Sequence, residues 1–134
     1  MTSTVEYLNP AGAPPAQGLY SHIGKARGAG DLLFVAGQLS VAPDGSVAGA
    51  GDFATQFKQI FHNLGTVLAG VGCGFEDVIK FTTYLVNPDD LDQFMELRQE
   101  LFPTLFNGGP YPPNTLLMIN RLVKKSSCSK WKPS

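Results

Sequence analysis

From residue 52 onward, apolar residues recur with the period of a helix. Phe53, Phe57, Ile60, Phe61, Leu64, Val67, Leu68 and Val71 form one wide stripe. Asp52 is placed to cap its N-terminus, and Gly70, Gly72 and Gly74 to end it. A second stripe, Leu91, Phe94, Leu97, Leu101, Phe102 and Leu105, predicts another helix opened by Pro88-Asp-Asp90 and stopped by Asn107-Gly108. Pro103 falls in its last turn, where it is positioned to kink it. Other apolar or alternating stretches have strand length: residues 5–8, 19–27, 32–39, 78–86 and 115–123. Residues 9–18 are a loop by composition, and Gly28-Ala-Gly-Asp31 and Pro43-Asp-Gly45 are turns.

The predicted order is β, β, β, α, β, α, β: an α+β sandwich with both helices on one face of a mixed sheet. Residues 32–39 are apolar on both faces until Gln38, the pattern of a strand covered on both sides. Two helices cover only one face, so the other needs a cover from outside the chain. A homo-oligomer follows, and a sharp monomer in sedimentation would count heavily against it.

At 134 residues the chain makes one domain, with a core that removes roughly two-thirds of the unfolded surface from water. A net charge of −1 gives no electrostatic reason to expect nucleic acid or an anionic membrane as partner. No apolar run approaches the ~20 residues that span a bilayer, and no basic-then-apolar leader opens the chain. The two cysteines, Cys73 and Cys128, make no disulfide framework, and no Cys/His spacing suggests zinc. The expectation is a soluble, cytoplasmic protein without a cofactor.

Ordinary enzyme constellations are missing: no G-x-S-x-G elbow, P-loop or H-E-x-x-H is present. His22 and His62 are the only histidines; His22 reads as structural, and His62 as a surface or boundary residue of the first helix. Cys73 between glycines reads as an inert thiol, and Asp89, Asp90 and Asp92 as the acidic first turn of a helix. What remains is a loop-and-strand site. The Gly- and Pro-rich residues 108–113 cannot form regular structure and place Asn114 and Thr115 at the mouth of a sheet. Tyr20 stands at a strand entrance. Gly37 interrupts a buried strand, either for close approach of a ligand or as a bulge.

Gly18-Leu-Tyr-Ser21, Leu33-Phe-Val-Ala-Gly-Gln-Leu39, Ile79-Lys-Phe-Thr-Thr-Tyr-Leu-Val86, Asp90-Leu-Asp-Gln-Phe94 and Tyr111-Pro-Pro-Asn-Thr115 stand in an order that resembles the RidA (YjgF/YER057c/UK114) family, over residues 5–123. The resemblance implies a chorismate-mutase-like subunit and a homotrimer whose clefts between subunits bind small carboxylates or imines. It also implies a hydrolase that converts 2-imino or enamino acids to 2-oxo acids and ammonia. Tyr20 matches the tyrosine lining the family cleft, Gly37 the glycine whose backbone faces the ligand, and Thr115 a small polar residue beside the key arginine. Three positions depart from the pattern. Asn114 stands where deaminating members carry the arginine that clamps the substrate carboxylate. Arg98 stands near a position that often supplies an amide, and Ala36 replaces a serine. Exchanging a charged fork for a neutral amide forfeits about 1.5–3 kcal/mol of charge-assisted bonding. Arg98 restores the charge if it points into the cleft, whereas its place on a helix otherwise reads as an exposed arginine. Two rival readings are a non-catalytic metabolite-binding or protein-interaction module of the same fold, and its chorismate-handling branch.

Residues 124–134, Lys-Lys-Ser-Ser-Cys-Ser-Lys-Trp-Lys-Pro-Ser, are polar and cationic and lack strand periodicity, where the family has a last strand with a Glu-x-Glu pattern. Read one frame over, from the third base of Lys124, the codons permit E-E-F-L-L-E-V-E-A-I. If Ser126 uses an AGY codon and the other serines TCN, a frameshift replacing the final strand is one reading; a divergent disordered tail is the other, and a genuine tail leaves the sheet one strand short.

Overall fold

The computed structural model describes residues 5–28 and 30–123, together with the backbone of 129–133. The helices form as their stripes predict. The first, α1 (Phe53–Gly70), is capped by Asp52, whose carboxylate accepts from the Thr55 backbone N–H and from the Thr55 hydroxyl at 2.8 Å. It buries Phe53, Phe57, Ile60, Phe61, Leu64 and Leu68. Val67 and Val71 are exposed: Val67 lies at the edge of the stripe, and Val71 is the C-cap residue, past the last helical turn. The second helix, α2 (Leu91–Leu105), follows a 3₁₀ turn at Pro88–Asp90 that Asn87 caps. It runs through Pro103 and ends where Asn107 and Gly108 both adopt positive φ.

The strands differ more from expectation. A hairpin-like pair, β1 (Val5–Leu8) and β2 (Ile23–Ala26), is antiparallel and separate from a three-stranded sheet. That sheet has β3 (Phe81–Leu85) at its centre, parallel to β4 (Asn114–Met118) and antiparallel to β5 (Ser129–Pro133). The two sheets meet closely: a Cβ at Gly24 would stand 2.2 Å from the Ile79 carbonyl oxygen. Tyr7 adds a hydrogen bond from its hydroxyl to the Val78 carbonyl.

Two sequence expectations are corrected. Residues 32–39 form no continuous strand; they run irregularly, with Leu32 60%, Leu33 53% and Phe34 84% exposed. A strand apolar on both sides needs covers on both, whereas here Val35 packs on the core and Leu32, Leu33 and Phe34 stay uncovered. Consequently the mixed sheet is divided in two. The expected missing strand is also corrected, because residues 129–133 pair with β3. Backbone ladders need only N–H and C=O groups, so the missing apolar alternation did not prevent pairing. Residues 124–128 and 134 lie outside the described residues.

The core lies between the helices and β3. Phe61 packs against Phe81 and Phe102 at ring-centroid distances of 6.1 and 5.4 Å, and Phe57 against Phe94 at 6.0 Å. On β3, Phe81, Thr83 and Leu85 face inward and are buried, as alternation requires. Among the described residues, no helix is long and apolar enough to cross a membrane.

Candidate functional site

The Gly/Pro loop is held by the core. Tyr111 packs on Phe102 and Phe106 at 6.3 and 6.1 Å, Pro112 is fully buried, and the Gly109–Pro110 peptide is cis. The Phe81 N–H then donates to the Pro113 carbonyl at 2.9 Å, which sets β4 in parallel register with Phe81 opposite Asn114 and Thr82 opposite Thr115. The junction therefore arrives at the sheet at one defined height.

At that height a cleft of about 460 Å³ opens between β2, its approach, and the starts of β3 and β4. Tyr20, Asn114 and Thr115 all line it, so three of the residues singled out in the sequence converge. Gly37 is not among its walls; it sits half-buried in the irregular stretch before Leu39. Lys80 and His22 do line the cleft, and both were passed over in the sequence. Lys80 had no motif to flag it. His22 was read as structural, and half of that stands: its Nε2 lies 2.6 Å from the Pro14 carbonyl, an acceptor only. Nε2 must therefore carry the proton, which in the neutral ring leaves Nδ1 as the basic nitrogen. No Asp or Glu appears among the described lining residues.

Asn114 is oriented rather than loose. The hydroxyl of Thr83, wholly buried, donates to Asn114 Oδ1 at 2.7 Å. With the oxygen engaged, the amide offers its two N–H donors, so this wall suits an acceptor such as a carbonyl or carboxylate oxygen.

Arg98, read in the sequence either as a cation of the cleft or as an exposed helical arginine, is not exposed and is not among the residues that line the cleft. It is only 3% exposed, on the inward side of α2 beside Phe94 and Leu97. Its guanidinium lies 5.2 Å from the Phe94 ring centre, and one amino group contacts Met95 Sδ at 3.2 Å. Nε is buried without a hydrogen-bond partner, and among the described residues no carboxylate pairs with it. Burial pulls its pKa below the ordinary arginine value, partly countered by the nearby Tyr20. A Cβ on Gly18 would stand 2.3 Å from Nη2, so the guanidinium rests on the loop that leads to Tyr20. Among the described residues, no group of His, Cys, Asp and Glu could hold a metal ion.

The signature described as endoribonuclease L-PSP matches residues 11–127. A RutC family protein, slr0709 of Synechocystis, is 32% identical over 122 residues, covering 90% of this chain and 88% of that protein. The 2-iminobutanoate/2-iminopropanoate deaminase of Rattus norvegicus is 31% identical over 119 residues, covering 89% of this chain and 81% of the enzyme. The solved structure of the Rid family protein YyfB from Yersinia pestis superposes with a TM-score of 0.83 at 22% identity, covering 97% of this chain and 96% of that one.

Proposed function

This chain belongs to the RidA family, and on that premise we propose that its cleft binds small 2-imino and 2-oxo acids and hydrolyses the imines. The observation that carries the reading is the Asn114 amide, fixed by Thr83 at a cleft that Tyr20 and Lys80 also line without a described carboxylate. Such a cleft favours an anionic, acceptor-rich ligand. In the hydrolysis, a protonated imine takes up water at its carbon. The C=N bond gives way to C=O, and the nitrogen leaves as ammonium. Asn114 and Thr115 would hold the polar end, Tyr20 would pack on the ligand, and the imidazole of His22, its Nε2 donating to the Pro14 carbonyl, would orient water through Nδ1.

The exposed Leu32, Leu33 and Phe34 support a homotrimer in which a neighbouring copy covers this stretch and brings Gly37 to the cleft. The free Cys73 accords with a cytoplasmic setting. Ammonium release from 2-iminobutyrate and 2-iminopropionate generated in situ tests the activity, with sedimentation of the same sample testing the trimer. Release above the buffer rate, lost in Asn114→Leu, supports the enzyme.

One observation favours a second reading. The lack of a described carboxylate in the cleft leaves water with no acidic anchor, as in a non-catalytic metabolite-binding module. A flat ammonium trace from a trimer that binds 2-oxobutyrate would decide for the module.

A further inference from the structure

Between α1 and α2 lies a trough of about 490 Å³ that shares no residue with the cleft or with the exposed stretch at 32–34. Its walls fall into rows. Phe61, Gly65 and Ala69, four apart on α1, make one apolar row, and half-buried Leu101 and Leu105 of α2 face it together with Phe75. Lys58, His62 and Thr66, also four apart and all exposed, make a polar edge. The Thr66 hydroxyl donates to the His62 carbonyl at 3.1 Å, so Lys58 and His62 are the edge groups with donors to offer. No Asp or Glu is among the described lining residues, and none of the described carboxylates pairs with Lys58. Asp52, which feels its charge, is already engaged by Thr55. Gly65 points the same way. Glycine inside a helix weakens it relative to alanine, yet a Cβ here would meet nothing nearer than the Phe75 ring edge at 3.4 Å, an ordinary contact. Packing within the chain does not ask for this glycine; the missing side chain leaves the backbone and the Phe75 edge open to the trough.

We propose that this trough docks an amphipathic helix of a partner protein, with apolar residues at i, i+3 or i+4 and i+7 and carboxylates four residues apart along one edge. The openness of the trough selects a helix over a small molecule. With Lys58, His62, Thr66 and Ala69 exposed, a small molecule lying there would leave much of its surface in water, whereas ligand pockets enclose most of theirs. A helix lies along a row of i, i+4 side chains as one ridge lies in a groove, and the gap at Gly65 admits one large apolar anchor against Phe75. Charge then chooses the edge. Carboxylates one turn apart meet Lys58 and His62 together, because both rows repeat every four residues, while a basic edge would meet Lys58 as a like charge. The inference uses no residue of the cleft, so it stands or falls apart from the small-acid reading.

The test uses the full-length protein and two fluorescein-labelled peptides of about 16 residues, stapled because free helices of that length are marginal in water. The peptides share a leucine seam and differ only in an edge of glutamate or of lysine. Anisotropy at low salt should show the glutamate peptide bound about fivefold more tightly, the range of one or two exposed ion pairs. Lys58→Gln should remove most of that preference, and Lys58→Glu should invert it. Ala69→Trp, a change at an exposed position, should fill the trough and weaken both peptides about tenfold. Gly65→Ala should melt higher than wild type, alanine being the better helix former, and bind both peptides less tightly through the narrowed trough. Amide shifts in a nuclear magnetic resonance titration should centre on Gly65 and Thr66 and leave Thr115 unmoved. Peptides that bind alike or not at all overturn the inference, as do affinities that Lys58→Glu and Ala69→Trp leave unchanged. Self-association of wild type that Ala69→Trp abolishes gives the trough to a second copy and overturns it as well.

Discussion

Thr83→Val tests whether the Asn114 amide is held by the hydrogen bond or merely lies beside it. The change keeps the side-chain shape and replaces a wholly buried hydroxyl by a methyl. It removes the 2.7 Å bond to Asn114 Oδ1, worth about 0.5–1.5 kcal/mol net. Burying the added methyl returns up to roughly 0.8 kcal/mol. Asn114 is only half-buried, so its freed oxygen can turn to water and avoid a full desolvation penalty. The single variant should therefore lie within about 1 kcal/mol of wild type, which alone decides nothing. The decisive quantity is the coupling in a double-mutant cycle with Asn114→Ala, followed by urea unfolding at one fixed protein concentration. We expect about 1 kcal/mol. Two changes that simply add, within the usual scatter of about 0.3–0.5 kcal/mol, would refute the claim that Thr83 orients the amide.

Phe57→Ala should destabilise the fold by about 3–5 kcal/mol, measured by urea unfolding, because Phe57 is wholly buried and stacks against Phe53, Phe61 and Phe94. A loss below about 1 kcal/mol would contradict the aromatic core. Tyr7 has its pKa raised well above the ordinary 10.0, first by burial and then by the charges of Asp77 and Glu76. The folded state thus binds the phenolic proton more tightly than the unfolded state. Its stabilisation is complete below pH 10.0 and is lost as the pH climbs above that toward the folded value. Tyr7→Phe should lose about 1 kcal/mol at neutral pH, the worth of the bond to Val78. It should also show a shallower alkaline decline in urea midpoint; parallel declines would rule out Tyr7 as the titrating group.

Both helices, the cap at Asp52 and the stop at Asn107-Gly108 were legible in the sequence, because helical contacts join residues three and four apart and the stripe is written locally. The Gly/Pro loop and its delivery of Asn114 and Thr115 were legible for a similar reason: proline and glycine restrict the backbone where they stand. Tyr20, singled out through the family pattern, lines the same cleft in the structure.

Strand pairing was not legible to the same degree, since a ladder joins residues far apart and any backbone can complete it. The polar segment at 129–133 pairs with β3, while the apolar stretch at 32–39, which looked like the safest strand, stays irregular. The sequence by itself determined the helices, the turn chemistry and the family; only the tertiary structure decided what stands around each charge. Arg98 occupies a helix position whose face is set by packing on Phe94 and Gly18, and His22 and Lys80 meet because two sheets abut at Gly24. Burial and convergence depend on distant parts of the chain arriving at one place, and no local pattern records them.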